Sequence, residues 1–292
     1  MQNVKLKSYL QLHFIVFIWG FTGILGELIQ LSASSKTWYR MSIALVVVLI
    51  YAKIKKISLK IKQRDLLQFL IAGVLIAAHW VCFFQAIEVS NVSTTLATLS
   101  TGAFFASLLE PLIYGRKVVW YEVFFGILVM FGLYLIYGVS GGNFLNGMLL
   151  ALCAAFLSAA FSIINGKFAE TQNSAVVSIF EIIGGIAALS IYMGFQGEWT
   201  ASFFDLTWQE WAGLLLLGVV CTAYPFVKTI SIMRHITPYT VMLSINLEPV
   251  YGIILAVMLF PETEKMGVEF YIGAGIILLT VILNVWLKKI KK

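Results

Sequence analysis

Charge is scarce in this chain. Of its 292 residues, 12% are charged and 60% are hydrophobic. A water-soluble fold of that length has too little polar surface to cover so much apolar side chain. Cysteine is scarcer still. Cys82, Cys153 and Cys221 each fall inside an apolar run, which excludes a disulfide framework and leaves them as small buried hydrophobes. The histidines, His13, His79 and His235, are too scattered for a metal-ligand spacing. A Gly-rich phosphate cradle ending in Lys and Ser/Thr is absent, which argues against a nucleotide motor. A Gly-x-Ser-x-Gly elbow is absent too. No cofactor is expected.

What is present is ten apolar runs, at about 9–29, 35–52, 66–87, 92–114, 118–139, 147–168, 174–195, 210–232, 240–260 and 268–287. Runs of about 20 residues match a hydrocarbon layer roughly 30 Å thick at a helical rise of about 1.5 Å per residue. In lipid they must be helices, because nothing else there satisfies the backbone. The second is the shortest and is interrupted by Arg40. The first is too long for the core of a signal peptide and is read as a retained helix.

The basic residues sort by connection. Lys5 and Lys7 precede span 1. Lys53, Lys55, Lys56, Lys60, Lys62 and Arg64 lie between spans 2 and 3. Arg116 and Lys117 follow span 4, Lys167 follows span 6, Arg234 follows span 8, and Lys288, Lys289, Lys291 and Lys292 follow span 10. The alternate connections hold Lys36 and Lys265 and carry acids: Glu88, Glu198, Asp205, Glu210, Glu262, Glu264 and Glu269. Short basic connections stay in the cytoplasm, so both termini are expected inside. The net charge of +6 therefore meets anionic lipid at one membrane face, and does not point to nucleic acid.

The chain also repeats itself. Gly73-Val74-Leu75-Ile76-Ala77-Ala78-His79 resembles Gly218-Val219-Val220-Cys221-Thr222-Ala223-Tyr224, and Thr94 and Thr98 match Thr240 and Ser244 after one residue of slippage. Halves of five spans each, 1–141 and 142–292, must enter the membrane from opposite sides. An inverted repeat of this kind builds secondary transporters that expose a central site to each side in turn. The expected fold class is an all-α integral membrane protein of ten transmembrane helices in two inverted five-helix repeats.

Polar residues inside the spans mark candidate sites. Thr240, Ser244, Glu248 and Tyr251 form a stripe on span 9, as do Tyr224, Lys228 and Ser231 on span 8, Ser158, Ser162 and Asn165 on span 6, and Thr94, Thr98 and Thr101 on span 4. Trp19 and Gly23 share a face of span 1. Glu248 stands out, because a charge near the bilayer centre costs about 2.5–3.5 kcal/mol on insertion scales. Pro249 beside it cannot donate a backbone hydrogen bond and frees a carbonyl near Ile245. That carboxylate suits an ammonium group or a proton, or it pairs with Lys228. Lys228 could instead bind a substrate carboxylate or reach the interface. His79 and Trp80 lie mid-membrane on span 3, as orienting groups or as packing. Pro225 should kink span 8. Glu110, beside Pro111, is read as a partner for Lys228 or Arg116. Arg40 and Glu181 occupy similar places on spans 2 and 7, and each is expected to anchor or gate its own side. Gly20, Gly23 and Gly26 suit close helix packing.

These features resemble the drug/metabolite transporter superfamily, in particular its EamA-type members. The most specific stretch is Leu247-Glu248-Pro249-Val250-Tyr251-Gly252-Ile253-Ile254-Leu255-Ala256, running to Phe260-Pro261-Glu262, with Trp19-Gly20-Phe21 as a second piece. Pro261 replaces a family Gly, Gly102-Ala103 stands where a Pro is common, and Arg116 where a Glu is. The resemblance implies a pathway lined by spans 1, 3, 4, 6, 8 and 9. It also implies export of amino acids or other small metabolites across the inner membrane. The expected substrate-binding set is Trp19, His79, Trp80, Thr98, Tyr224, Lys228, Ser244, Glu248 and Tyr251, with Arg40, Glu110, Glu181, Pro225 and Pro249 as gating or structural residues. A small-molecule substrate, membrane lipid and protons are the partners to consider, for a monomer or a homodimer. Substrate identity, direction and energy coupling stay open at this point. The competing reading is a membrane-embedded enzyme on a lipid-linked or amphipathic substrate, using Glu248, His79 and Glu110 for acid–base chemistry.

Overall fold

Among the described residues the chain is a succession of ten helical spans, two of them broken, and seven of the spans are by themselves long and apolar enough to cross a membrane. The computed structural model describes residues 2–115, 120–139, 144–245 and 247–290. Arg116, Lys117, Lys291, Lys292 and the junction expected at 141–142 lie outside the described residues. Spans 1 to 3 are Gln2–Leu28, Ala33–Ile54 and Gln63–Val89. Span 4 is broken into Val92–Leu99 and Gly102–Tyr114, and span 5 is Trp120–Val139. Spans 6 and 7 are Leu145–Thr171 and Ser174–Phe195. Span 8 runs from Trp208 to Ile232 and contains a π-helical stretch, Leu216–Ala223. Span 9 is broken into Pro238–Ile245 and Glu248–Leu259, and span 10 is Val268–Ile290. Span 2, expected at 35–52, is one helix across Arg40, and Arg40 is buried inside the bundle.

The two halves pack as inverted copies. Span 3 lies against spans 6 and 7, and its counterpart, span 8, lies against spans 1 and 2. Span 1 packs on the second piece of span 9, as span 6 packs on span 4, and spans 5 and 10 pair with each other. The glycines matched in the sequence repeat sit at equivalent crossings. A Cβ on Gly73 would fall 1.8 Å from the carbonyl oxygen of Glu181, and one on Gly218 would fall 2.7 Å from Ile43 Cβ and 3.2 Å from the carbonyl oxygen of Arg40. Glycine at each crossing lets the two backbones touch. Gly20, Gly23 and Gly26 likewise face Tyr251, Val92 and Phe84 at close range.

Spans 4 and 9 break at matching places, after Leu99 and after Ile245. Pro249 explains the second break, since it stands at the start of the new helix where a missing N–H costs nothing. Gly102 opens the new helix in span 4 with no proline to help. In span 8 the cause of the irregularity is Pro225. A regular α-helix would bond the carbonyl of Cys221 to the nitrogen of residue 225, which carries no hydrogen. The helix widens instead: Tyr224 N–H bonds to the carbonyl of Val219 and Thr222 Oγ1 donates to Leu217 at 2.7 Å. The Cys221 carbonyl is left free to accept bonds from elsewhere.

With ten spans running alternately up and down, the described ends at Gln2 and Ile290 and the 55–62 connection share one end of the bundle, called here the terminal end. The opposite, far end is heavily tied. Lys36, one of the two lysines on the acidic connections, is buried; its Nζ is 2.9 Å from Glu88 and 2.9 Å from the Gly26 carbonyl. Glu264, from the turn between spans 9 and 10, accepts the backbone N–H groups of Val92 and Ser93 at 2.8 and 2.9 Å, capping span 4. Asn91 donates to the Thr263 carbonyl at 3.1 Å. Between them lies a hollow of about 450 Å³ lined by Glu27, Lys36, Glu88 and Glu264, among others. The long 196–207 connection is folded onto the bundle by Trp38, Tyr39, Trp199 and Phe203, whose rings meet at 4.7–5.5 Å.

Candidate functional site

Between the two halves lies a cavity of about 80 Å³. That is several times the roughly 10–15 Å³ needed to hold one water. Spans 1 to 4 contribute Trp19, Thr22, Arg40, His79, Trp80, Phe83 and Leu99. Spans 6, 8 and 9 contribute Ser158, Phe161, Ser162, Asn165, Cys221, Thr222, Phe226, Thr229, Ile230, Met233, Met242, Ile245 and Glu248. The lining extends past the last residue of span 8, to Met233, at the terminal end. At the other end it stops short of the Lys36–Glu88 pair.

Arg40 is the cavity's cation, and the structure corrects its assignment as a gate at the face. The guanidinium carbon stands 4.1 Å from the centre of the Trp80 ring. Such a desolvated cation–π contact contributes about 2 kcal/mol. Nε donates to Thr222 Oγ1 at 2.6 Å and Nη2 to the Cys221 carbonyl at 3.4 Å. The Trp19 indole donates to the same carbonyl at 3.2 Å. The acceptor that Pro225 releases on span 8 thus holds Arg40 and Trp19 together. Nη1 is buried without a hydrogen-bond partner.

Glu248 is the cavity's anion. It is the first residue of the second piece of span 9, at the positive end of a helix that starts inside the bundle. It is buried and forms no hydrogen bond or ion pair with another described residue. The pairing with Lys228 is not formed. Lys228 is half-buried on span 8 and does not line the cavity. His79 Nδ1 lies 2.8 Å from the Ala154 carbonyl. A carbonyl only accepts, so Nδ1 carries the hydrogen, and in the neutral ring Nε2 is left as an acceptor. Phe161 stands 5.5 Å from the imidazole, ring to ring.

Of the residues expected from sequence to bind substrate, Trp19, His79, Trp80 and Glu248 meet in this cavity, and Thr98, Tyr224, Lys228, Ser244 and Tyr251 do not. The reasons are specific. The turn at Leu247, before the new helix at Glu248, resets the phase of span 9, so its stripe does not continue across: Ser244 bonds back to the Thr240 carbonyl at 3.0 Å, and Tyr251 packs edge-on against Phe17. The π-helical stretch does the same in span 8. It turns Tyr224 outward against Phe14 and brings Thr222, Phe226 and Thr229 inward. Thr98 is fully buried in the packing of span 4. Only span 6 keeps its stripe, with Ser158, Ser162 and Asn165 all on the cavity wall. Glu110 is buried on span 4 outside that wall. Pro225 and Pro249 act through the backbone. Glu181 is fully buried on span 7, beside Asn165.

A largely apolar cavity carrying a few convergent polar and charged groups, enclosed by inverted helical halves with broken helices ending at it, is the architecture of a membrane transporter. The sequence model of the EamA-like transporter family matches residues 6–138 and again 145–286, and the chain belongs to that family. A protein of Clostridium kluyveri described as an uncharacterized transporter is 23% identical over 240 residues, which is 80% of this chain and 75% of that protein. A protein of known crystal structure superposes over 100% of both chains with a TM-score of 0.70 at 14% identity, a likeness of fold alone.

Proposed function

We propose that the protein is a secondary transporter that exports a small zwitterionic metabolite, such as an amino acid with an apolar side chain, across the inner membrane by alternating access. One observation carries this reading: Arg40 Nη1 and the Glu248 carboxylate line the same cavity and neither has a hydrogen-bond partner. Arg40 supplies a forked donor matched to a carboxylate, and Glu248 supplies an acceptor for an ammonium group. The walls between them are aromatic, with Trp19, Trp80, Phe83, Phe161 and Phe226. A ligand bearing both charges and an apolar body answers all three features, and a singly charged one leaves the other group buried and unpaired.

The charge sorting supports placing the terminal end in the cytoplasm. Burial of Lys36 in an ion pair strengthens that bias, because the far end loses a solvated cation. In that orientation the cavity leans toward the cytoplasm while the far-end ties hold the outer side. Two halves of five spans, 1–141 and 142–292, would trade places to open the other side, with Pro225 and Pro249 marking where spans 8 and 9 give.

The test is exchange in proteoliposomes. Vesicles holding the full chain and loaded with an unlabelled mixture of the twenty amino acids are expected to take up radiolabelled amino acids from outside, and to lose this uptake when Glu248→Ala and His79→Ala are combined. Full uptake by that double variant would overturn the site assignment. A change in substrate mass after incubation would instead point to an enzyme.

A further inference from the structure

Arg40 has a counterpart across the inverted repeat, and it is a carboxyl. Spans 2 and 7 are both 22 residues long, and counted from Ala33 and Ser174 both Arg40 and Glu181 are the eighth residue. The packing agrees with the count: Gly218 closes on the backbone of Arg40, and its repeat partner Gly73 closes on the backbone of Glu181. Their surroundings differ. Arg40 lines the cavity, whereas Glu181 has no solvent exposure and both its carboxyl oxygens are buried without a hydrogen-bond partner.

Its polar neighbour is the Asn165 amide, which does line the cavity and whose Oδ1 is also buried without a donor. Spans 2, 3, 6 and 8 pack against span 7. No charged side chain from any of them acts on Glu181; Asn165 is the only described side chain that does. Three acceptor oxygens therefore lie together, none of them given a hydrogen bond by a described residue, and an unpaired buried carboxylate is a heavy cost. The Asn165 NH2 is the donor beside them; a proton on Glu181 adds a second, which the amide oxygen of Asn165 can accept.

We propose that Glu181 is a proton-binding site whose access switches with the transport cycle. The proposal rests on the transporter reading above. In an inverted repeat the opposite conformation is reached when the halves exchange arrangements. Span 7 then takes the position span 2 has here, so Glu181 comes to the cavity wall where Arg40 stands now, and Arg40 is sealed. Glu181 trades its proton directly with the compartment open in that arrangement, and in this one exchanges it slowly with the cavity through Asn165. Asn165, with one side toward Glu181 and one toward the cavity, is the door between them.

Two measurements on the full chain test this. In infrared spectra of the purified protein near neutral pH, the wild type is expected to show the C=O stretch of a protonated, slowly exchanging carboxylic acid, and E181Q to lack it. In proteoliposomes given the amino-acid mixture, an imposed pH gradient is expected to change uptake by the wild type, and in E181Q the ratio of uptake with to without the gradient should fall to unity. The gradient response of Asn165→Ala should also weaken. Exchange by the wild type without any gradient response, or an infrared band that survives in E181Q, would overturn the proton site and leave the transporter standing. Absence of exchange in the wild type counts against the amino-acid substrate, and the infrared band then decides the proton site alone.

Discussion

Arg40→Met is expected to abolish saturable binding of a zwitterionic substrate. The variant removes the only cation found on the cavity wall among the described residues, and it leaves the Thr222 hydroxyl and the Cys221 carbonyl short of a partner. Truncating one side of a buried, hydrogen-bonded charge pair costs about 2–5 kcal/mol, which is roughly 30-fold or more in affinity at about 1.4 kcal/mol per decade. Arg40→Lys should recover only part of this, since an ammonium cannot fork across a carboxylate or stack flat on Trp80. Binding of radiolabelled amino acids to the purified variants, set against their melting temperatures, checks the prediction. Wild-type affinity in folded Arg40→Met would place the substrate's anion elsewhere.

Gly73→Ala is expected to be among the most damaging small substitutions in the chain. The added Cβ would meet the Glu181 carbonyl oxygen at 1.8 Å and its carbon at 2.7 Å. Backbone cannot move aside as a flexible side-chain end can, so spans 3 and 7 must separate. Overpacking of this kind costs about 1–3 kcal/mol and at times more. Gly218→Ala, at the mirror crossing, meets its nearest atoms at 2.7 Å and should cost less. Thermal unfolding of both variants in detergent gives the ranking. Equal stability of Gly73→Ala and the wild type would contradict the close approach of spans 3 and 7.

Sequence revealed the architecture because lipid enforces it. Ten apolar runs, alternating basic connections and an odd number of spans per half leave few arrangements open. The match of Gly73 with Gly218 and of Thr98 with Ser244 was legible for the same reason: equivalent crossings and equivalent helix breaks demand equivalent residues. Glu248, Trp19, His79 and Trp80, which line the cavity, were legible as candidates because each is a polar or aromatic group where lipid would exclude it or where the repeat points. The stripes on spans 8 and 9 misled because they assume an unbroken helix. One π-helical stretch and one turn before Glu248 moved Tyr224, Lys228, Ser244 and Tyr251 off the wall and brought Thr222, Phe226 and Thr229 onto it. Pro225 and Pro249 were the available signals, but a proline tells where a helix is disturbed and not which way the phase will slip. Arg40 was misplaced for a different reason. Its position on span 2 suggested a face of the membrane, and its partners, Trp80, Thr222 and the Cys221 carbonyl, come from two other spans that no local pattern links to it.

Everything above turns on a cavity that each side of the membrane reaches in turn. Ser162 sits on its wall, so a single cysteine there, with Cys82, Cys153 and Cys221 replaced by serine or alanine, reads that access. The measurement is labelling of Ser162→Cys by a membrane-impermeant thiol reagent, applied to intact cells and to inverted vesicles. The account predicts labelling from both sides, with the amino-acid mixture shifting the two rates in opposite directions. Labelling from one side only, whatever the substrate, would contradict it.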